Sequence, residues 1–309
     1  MKQYVPQPLQ DYMVVIKCFT YNHEPYIEET LKGFVSQKTN FPFCALVVDD
    51  FSSDKTAEII RKYEALYPEI IKGIYLQENY KSQKKQKNPL LKPWFDRCKY
   101  IAMCEGDDYW IDPLKLQTQI DFLENHSDYS MCFSGAKVVS PQKELEDSLY
   151  NGLEEREYFS DEIYKSWIVP TASVVYRSVV KKTEDPDFLF GDIVLFLSLA
   201  EKGRVWRFDK KMVVYRRLPS GMTFGYKRAT DRINKAEAYV RHHKALERHF
   251  PKLTRKCCKI VQAPFLLNKC TALFKEKKYL KCASCFFCSL CTYRIAFLLA
   301  LKNKFLGLA

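Results

Sequence analysis

Asp49-Asp50 and Glu105-Gly106-Asp107-Asp108 each close a short apolar run, Phe43 to Val48 and Tyr100 to Cys104, that reads as a buried β-strand. In an open parallel sheet, ligands gather outside the carboxyl ends of the strands. Two strands ending in adjacent carboxylates crowd several negative charges at one rim, where each raises the others' pKa. A cation or a set of donors relieves that crowding. A divalent metal that also binds a phosphate-bearing substrate is the simplest such group.

The elements that must hold these acids follow from periodicity. Met13 to Phe19 reads as a first strand, and Ile27, Leu31, Phe34 and Val35 mark one face of the helix after it. Ser53 and Asp54 offer N-caps for a helix carrying Ile59, Ile60, Tyr63 and Leu66. Ile70 to Leu76 is a third strand. Between it and the Tyr100 strand lies Lys81 to Pro89, either a solvated basic turn or a flap over phosphates. Pro113 opens a helix through Leu116, Ile120, Phe122 and Leu123, and Tyr129 to Phe133 is strand-like. Ser140 to Glu157 reads as an acidic surface excursion. Trp167 to Tyr176 and Val205 to Tyr215 read as strands that bracket a buried helix within Phe188 to Ala200. Strand and helix alternate at βαβ spacing, which predicts an α/β fold with a mostly parallel sheet.

The chain of 309 residues is 47% hydrophobic and 28% charged, a globular composition. From residue 231 onward, 17 Lys/Arg stand against 4 Asp/Glu, whereas the first 230 residues hold 32 against 33. All of the net charge of +12 therefore belongs to the tail, which points to an anionic partner: a membrane surface first, nucleic acid second. Met1 to Asp11 lacks the order of a signal peptide, so the cytosol is the expected compartment. Cys18, Cys44, Cys104 and Cys132 lie in strand-like runs and are expected as reduced, buried thiols. A catalytic domain over 1–226 and a basic helical region over 227–309 is the expected division.

Three motifs in order carry a family likeness. Thr20-Tyr21-Asn22-His23-Glu24-Pro25-Tyr26-Ile27, Val47-Val48-Asp49-Asp50-Phe51-Ser52-Ser53-Asp54-Lys55-Thr56 and Glu105-Gly106-Asp107-Asp108-Tyr109-Trp110 resemble the family 2 glycosyltransferases that build bacterial surface polysaccharides. The resemblance covers Met13 to Gly225. It implies a GT-A fold and transfer of a sugar from a nucleoside-diphosphate donor, most commonly a UDP-sugar, to a saccharide or lipid-linked acceptor with inversion. Thr20, Tyr21, Asn22 and Glu24 would lie along the nucleoside, and Asp49 or Asp50 would accept hydrogen bonds from base or ribose. Asp50 can equally be a turn former before the helix. Glu105-Gly106-Asp107-Asp108 occupies the place of the DxD motif. Asp108 is the favoured direct ligand of Mn²⁺ or Mg²⁺, Asp107 assists, and Glu105 stands where Asp is commoner. Tyr109-Trp110 would form an aromatic wall. Gly191-Asp192 resembles the motif of the catalytic base, although an Asp before an apolar helix is also an N-cap. Cover by Phe188, Phe190 and Trp206 would raise its pKa. Arg216 or Arg217 would clamp the diphosphate or form a surface ion pair, and Ser220-Gly221-Met222-Thr223-Phe224-Gly225 resembles a closing segment.

In the tail, Cys282, Cys285, Cys288 and Cys291 recur every third residue. Packing on one helix face explains this more simply than an iron–sulfur cluster or zinc. Leu280 to Leu301 is nearly long enough to span a bilayer, but Arg294 is costly there, which favours an interfacial helix on the cytoplasmic face. A helical cap or a dimer contact is the competing role. Three other functions compete: a sugar nucleotidyltransferase, an inactive membrane-associated binding protein, and a nucleic-acid binder. The first lacks its Gly-rich loop after the first strand, and the last leaves the acidic rim unexplained.

Overall fold

The first apolar run forms β1 (Tyr12–Thr20) in the computed structural model, which describes residues 8, 10–83, 85, 87–140, 150, 152–166, 168–218 and 229–305. The 220–225 segment, most of the acidic excursion, Trp167 and the expected boundary at 226 lie outside them. Helix α1 (Ile27–Val35) follows, with Ile27, Leu31 and Phe34 buried at the predicted spacing. Next come β2 (Phe43–Asp49), α2 (Thr56–Leu66), β3 (Ile71–Tyr75), α3 (Asn88–Phe95), β4 (Cys98–Met103), β5 (Tyr109–Trp110), α4 (Lys115–Asn125) and β6 (Tyr129–Val139). The chain continues through β7 (Arg156–Tyr158), α5 (Ser160–Lys165), β8 (Val175–Arg177), α6 (Gly191–Lys202) and β9 (Arg204–Arg216). It ends in α7 (Ala229–His249), α8 (Arg255–Lys275) and α9 (Tyr279–Phe305).

The described strands form one sheet in the order β3-β2-β1-β4-β8-β6-β9-β5, with β7 also on β9. Pairing is parallel from β3 to β4 and between β6 and β9, and antiparallel at β8, β5 and β7. The sheet is thus mixed, with its longest registers parallel. Val14, Val15 and Ile16 of β1 and Cys44 to Val48 of β2 are all buried, as expected of strands covered on both faces. Because β1, β2 and β4 run parallel, Thr20, Asp49 and the residues after Met103 emerge at one edge.

Three local expectations change. Leu66 ends α2 61% exposed, since α2 buries only the stripe through Thr56, Ile60 and Tyr63. Lys55, not Ser53 or Asp54, holds the N-cap position of α2; Asp54 instead accepts from the Thr56 N–H at 3.0 Å. The Trp167–Tyr176 run is only briefly a strand. The carbonyl of Pro170 accepts from the Ser173 N–H and hydroxyl, which closes a 3-10 turn at Thr171–Ser173 and leaves three residues for β8.

The chain divides into two compact units. The first is Met1–Tyr158, Ile168–Lys181 and Lys202–Leu218; the second is Phe159–Trp167, Lys182–Glu201 and Pro219–Ala309. The second unit thus draws two segments from before residue 226. Within it, the Tyr164 hydroxyl of α5 lies 3.0 Å from His243 Nδ1, and His242 Nδ1 accepts from the Leu189 N–H at 3.1 Å. Thr254 caps α8 by accepting from the Cys257 N–H and donates to Asp161 at 2.6 Å. Phe297 and Ala300 of α9 pack on Ala263, Leu266 and Leu267 of α8.

Candidate active site

The turn after β4 is held from three sides. The Gly106 N–H donates to the Phe19 carbonyl at 2.9 Å, tying the turn to the end of β1. A Cβ on Gly106 would stand 2.6 Å from Thr20 Oγ1 and 3.0 Å from His23 Nδ1, so only glycine fits. From α1, the buried Thr30 hydroxyl donates to the Asp108 carbonyl at 2.6 Å, with the Gly106 carbonyl at 3.1 Å. From β9, the Arg216 N–H donates to Asp108 Oδ1 at 2.8 Å, because β5 pairs with β9 immediately beyond.

Charge in this turn is balanced incompletely. Asp108 is only 4% exposed, and burial, with Asp107 and Glu105 nearby, pushes its carboxyl well above the usual carboxylate range. The Arg216 guanidinium donates to the Asp107 carbonyl oxygen at 2.7 Å and pairs with Glu29 of α1. It lies 4.3 Å from the Tyr109 ring centroid and 5.2 Å from that of Tyr26. Arg216 therefore braces the acidic turn against α1. Trp110 is not an exposed wall: its indole N–H donates to the Ala172 carbonyl, its ring meets Phe34, and the buried Lys115 ammonium lies 4.1 Å above it. Burial lowers the Lys115 pKa to about 7.

The loops after β1 and β2 are stitched together. Asn22, at φ 51°, accepts from the Ser53 N–H, and its own N–H donates to Ser52. Glu24 accepts from the Lys55 N–H, while its N–H donates to Asp54. Asp49 is buried, accepts from Ser52, and has its pKa raised by that burial. Asp50 is fully buried and accepts from the N–H groups of Tyr80 and Lys81, with Lys87 Nζ at 2.6 Å. Part of the basic segment thus lies on Asp50. Tyr21 is exposed.

The first unit therefore brings Thr20, Asp107, Asp108 and Arg216 around Gly106. Asn22, Glu24 and Asp49 stand in the adjoining stitched loops, and Glu105 precedes the turn, half-buried. Two buried polar atoms there, Thr20 Oγ1 and His23 Nδ1, have no hydrogen-bond partner among the described residues. His23 was not singled out from sequence; its Nε2 lies 3.9 Å from Asp107 Oδ2, and burial lowers its pKa. Its place amid the Thr20–Ile27 run was the available signal. Asp192 lies in the second unit, half-buried in the first turn of α6, where Oδ1 accepts from the Ile193 N–H. Phe188 and Phe190, expected to cover it, pack their rings on His242, and Trp206 stacks on Phe122 in the first unit.

The sequence profile of Glycosyl transferase family 2 matches residues 14–183, the span that holds the three ordered motifs, while Asp192 and Arg216 lie beyond it. The chain belongs to this family. An uncharacterized Mycobacterium tuberculosis protein, Rv1520, is 35% identical over 209 residues, 67% of this chain and 59% of that protein. This family 2 chain therefore spans about three-fifths of the length of that relative. The solved structure of Staphylococcus aureus TarS 1-349 in complex with UDP superposes with a TM-score of 0.52 at 18% identity, over 95% of this chain and 91% of that one. The mannosyltransferase PcManGT from Pyrobaculum calidifontis, in complex with GDP-Man and Mn²⁺, gives 0.53 at 16% identity, over 100% and 85%. The fold is GT-A.

Among the described residues no group of three or more His, Cys, Asp or Glu converges on a metal position. Mg²⁺-type sites often use one or two carboxylates with substrate phosphates supplying the rest. A buried Asp108 with an upshifted pKa, next to Asp107, fits that donor set: hard oxygens carrying charge that the surrounding donors leave unmet.

Proposed function

We propose that this family 2 chain transfers a sugar from a nucleoside-diphosphate donor, a UDP-sugar foremost, to a hydroxyl of a saccharide or lipid-linked saccharide at a membrane surface. The observation that carries the reading is the buried Asp108 in a turn held by β1, α1 and β9. Asp108 and Asp107 would hold Mn²⁺ or Mg²⁺, which when bound neutralises charge on the departing nucleoside diphosphate. Arg216 keeps Asp107 and Asp108 in place, and Thr20 and His23 bring buried polar atoms without a partner among the described residues against Gly106. Asp192 would take the proton of the acceptor hydroxyl as its oxygen bonds to the anomeric carbon. The bond from that carbon to the diphosphate breaks, and configuration inverts. Asp49 and Asp50 order the loops along the nucleoside. The names of relatives support the substrate class: TarS is a poly(ribitol-phosphate) β-N-acetylglucosaminyltransferase, and its solved structure holds UDP.

The test is thermal-shift titration with UDP, GDP, CDP and dTDP, each with and without Mn²⁺, on the wild type and Asp108→Asn. Metal-dependent stabilisation by one diphosphate, lost in the variant, is expected. No response to any of the four refutes the donor reading.

A further inference from the structure

Helix α9 buries one face and leaves another apolar face outside. Inward, Phe286, Leu290 and Phe297 pack on the core built with Leu266, Leu267 and Cys270 of α8. Outward, Leu280 is 90% and Phe287 64% exposed, and Cys291 is exposed in the same i, i+7, i+11 stripe. Phe274 and Tyr279, also exposed, meet edge to face at 5.5 Å and extend the stripe across the end of α8. Scattered exposed apolar residues are ordinary, but a contiguous set marks an interaction surface.

The surroundings of this stripe are mostly basic, with half-buried Glu276 among the lysines at its start. Lys275, Lys277, Lys278 and Lys281 are exposed at its start and Arg294 at its far end. From Lys277 to Ala309 the chain carries no Asp or Glu. We propose that this face of α9 docks on an anionic phospholipid surface, with Leu280 and Phe287 entering the acyl boundary and the lysines lying over headgroup phosphates.

Charge and length select this occupant. In a two-fold contact between copies the same patch meets itself, so lysine would face lysine. A nucleic acid would satisfy the lysines but leave Leu280 without use. At Arg294, φ 40° and ψ −115° break the helix, so its straight part runs from Tyr279 to Tyr293. At about 1.5 Å per residue that part is about 22 Å long, short of the ~30 Å hydrocarbon core. No helix among the described residues is long and apolar enough to cross a membrane. A short helix with one apolar face and a basic border lies in the interface plane.

The inference deepens the reading of a lipid-linked acceptor, and its experiment separates the two. The full chain is sedimented with phosphatidylcholine vesicles, with and without phosphatidylglycerol, and each variant is also titrated with UDP and Mn²⁺. Binding only to the anionic vesicles is expected, about tenfold weaker in Leu280→Glu/Phe287→Glu and in Lys277→Glu/Lys278→Glu, with nucleotide response unchanged. All four residues are exposed, and circular dichroism checks folding. Absence of binding to anionic vesicles, or equal binding by the apolar double variant, overturns the proposal. So does a dimer in sedimentation velocity that Phe287→Glu dissolves. A wild type that binds vesicles but no nucleotide refutes the donor reading alone.

Discussion

Asp108 is a buried carboxylate flanked by two others, so it opposes folding when ionised without a cation. Asp108→Asn removes that charge and keeps an oxygen to accept from the Arg216 N–H. The metal-free variant should melt roughly 2–4 °C higher, as a gain of about 1 kcal/mol gives, and should lose sugar transfer; calorimetry and a transfer assay read the two effects. Thr30→Val keeps the shape but loses the donor to the Asp108 carbonyl. A cost of about 1–3 kcal/mol is expected in urea melts, because that carbonyl then keeps only the weak Cys104 thiol donor at 3.7 Å, with a larger drop in kcat than a distant core change of equal cost. Gly106→Ala must push Thr20 aside. It should cost about 1–3 kcal/mol and weaken diphosphate binding together with stability.

At the scale of elements, β5 is only two residues long, yet its pairing with β9 fixes where Asp108 meets Arg216. Helix α1 serves the same turn through Thr30 and Glu29, and its Gly33 leaves room for the Trp110 backbone, 2.9 Å from where a Cβ would sit. In the helical unit, His243 of α7 touches Tyr164, the Phe265 ring at 4.4 Å and His242. Burial, then the neighbouring His242, lowers its pKa to about 3. The unfolded chain, with an ordinary histidine pKa near ~6.5, takes up this proton first. Stability is therefore intact above that pH and falls as pH drops toward the folded value, by about 1.4 kcal/mol per unit. His243→Asn cannot titrate there, and its acid slope in pH-dependent denaturant melts should be shallower.

For the whole molecule, the interleaving of the two units matters most. Helices α5 and α6 precede residue 226, but the partners of Tyr164, Leu189 and Asp161 in the second unit come from α7 and α8. Truncation after residue 226 should thus leave apolar surface of both helices uncovered and give aggregated protein on size exclusion. A soluble monomer with intact nucleotide response would contradict this. If the tail docks on anionic lipid as proposed, its gathered positive charge should make that adsorption dependent on salt, weakening as the Debye length shrinks in vesicle sedimentation at rising ionic strength.

Sequence alone determined what periodicity and strand ends encode. The runs of β1, β2 and β4, the buried stripe of α1 and the acids at the rim were legible because each depends on neighbours within a few residues. The ordered motifs likewise pointed to the GT-A fold. Long-range contact decided the rest. Arg216 reaches Asp108 across 108 positions, and Trp110 turns from exposed wall to core because Phe34, Lys115 and Ala172 close around it. The Trp167–Tyr176 run becomes a turn and a short strand, its extent set by Pro170 and by pairing with β4 and β6. The basic tail was visible as composition, but which face of α9 stays outside was fixed only when α8 took the other. A side chain's burial is a property of what packs on it, and that partner is chosen by the fold.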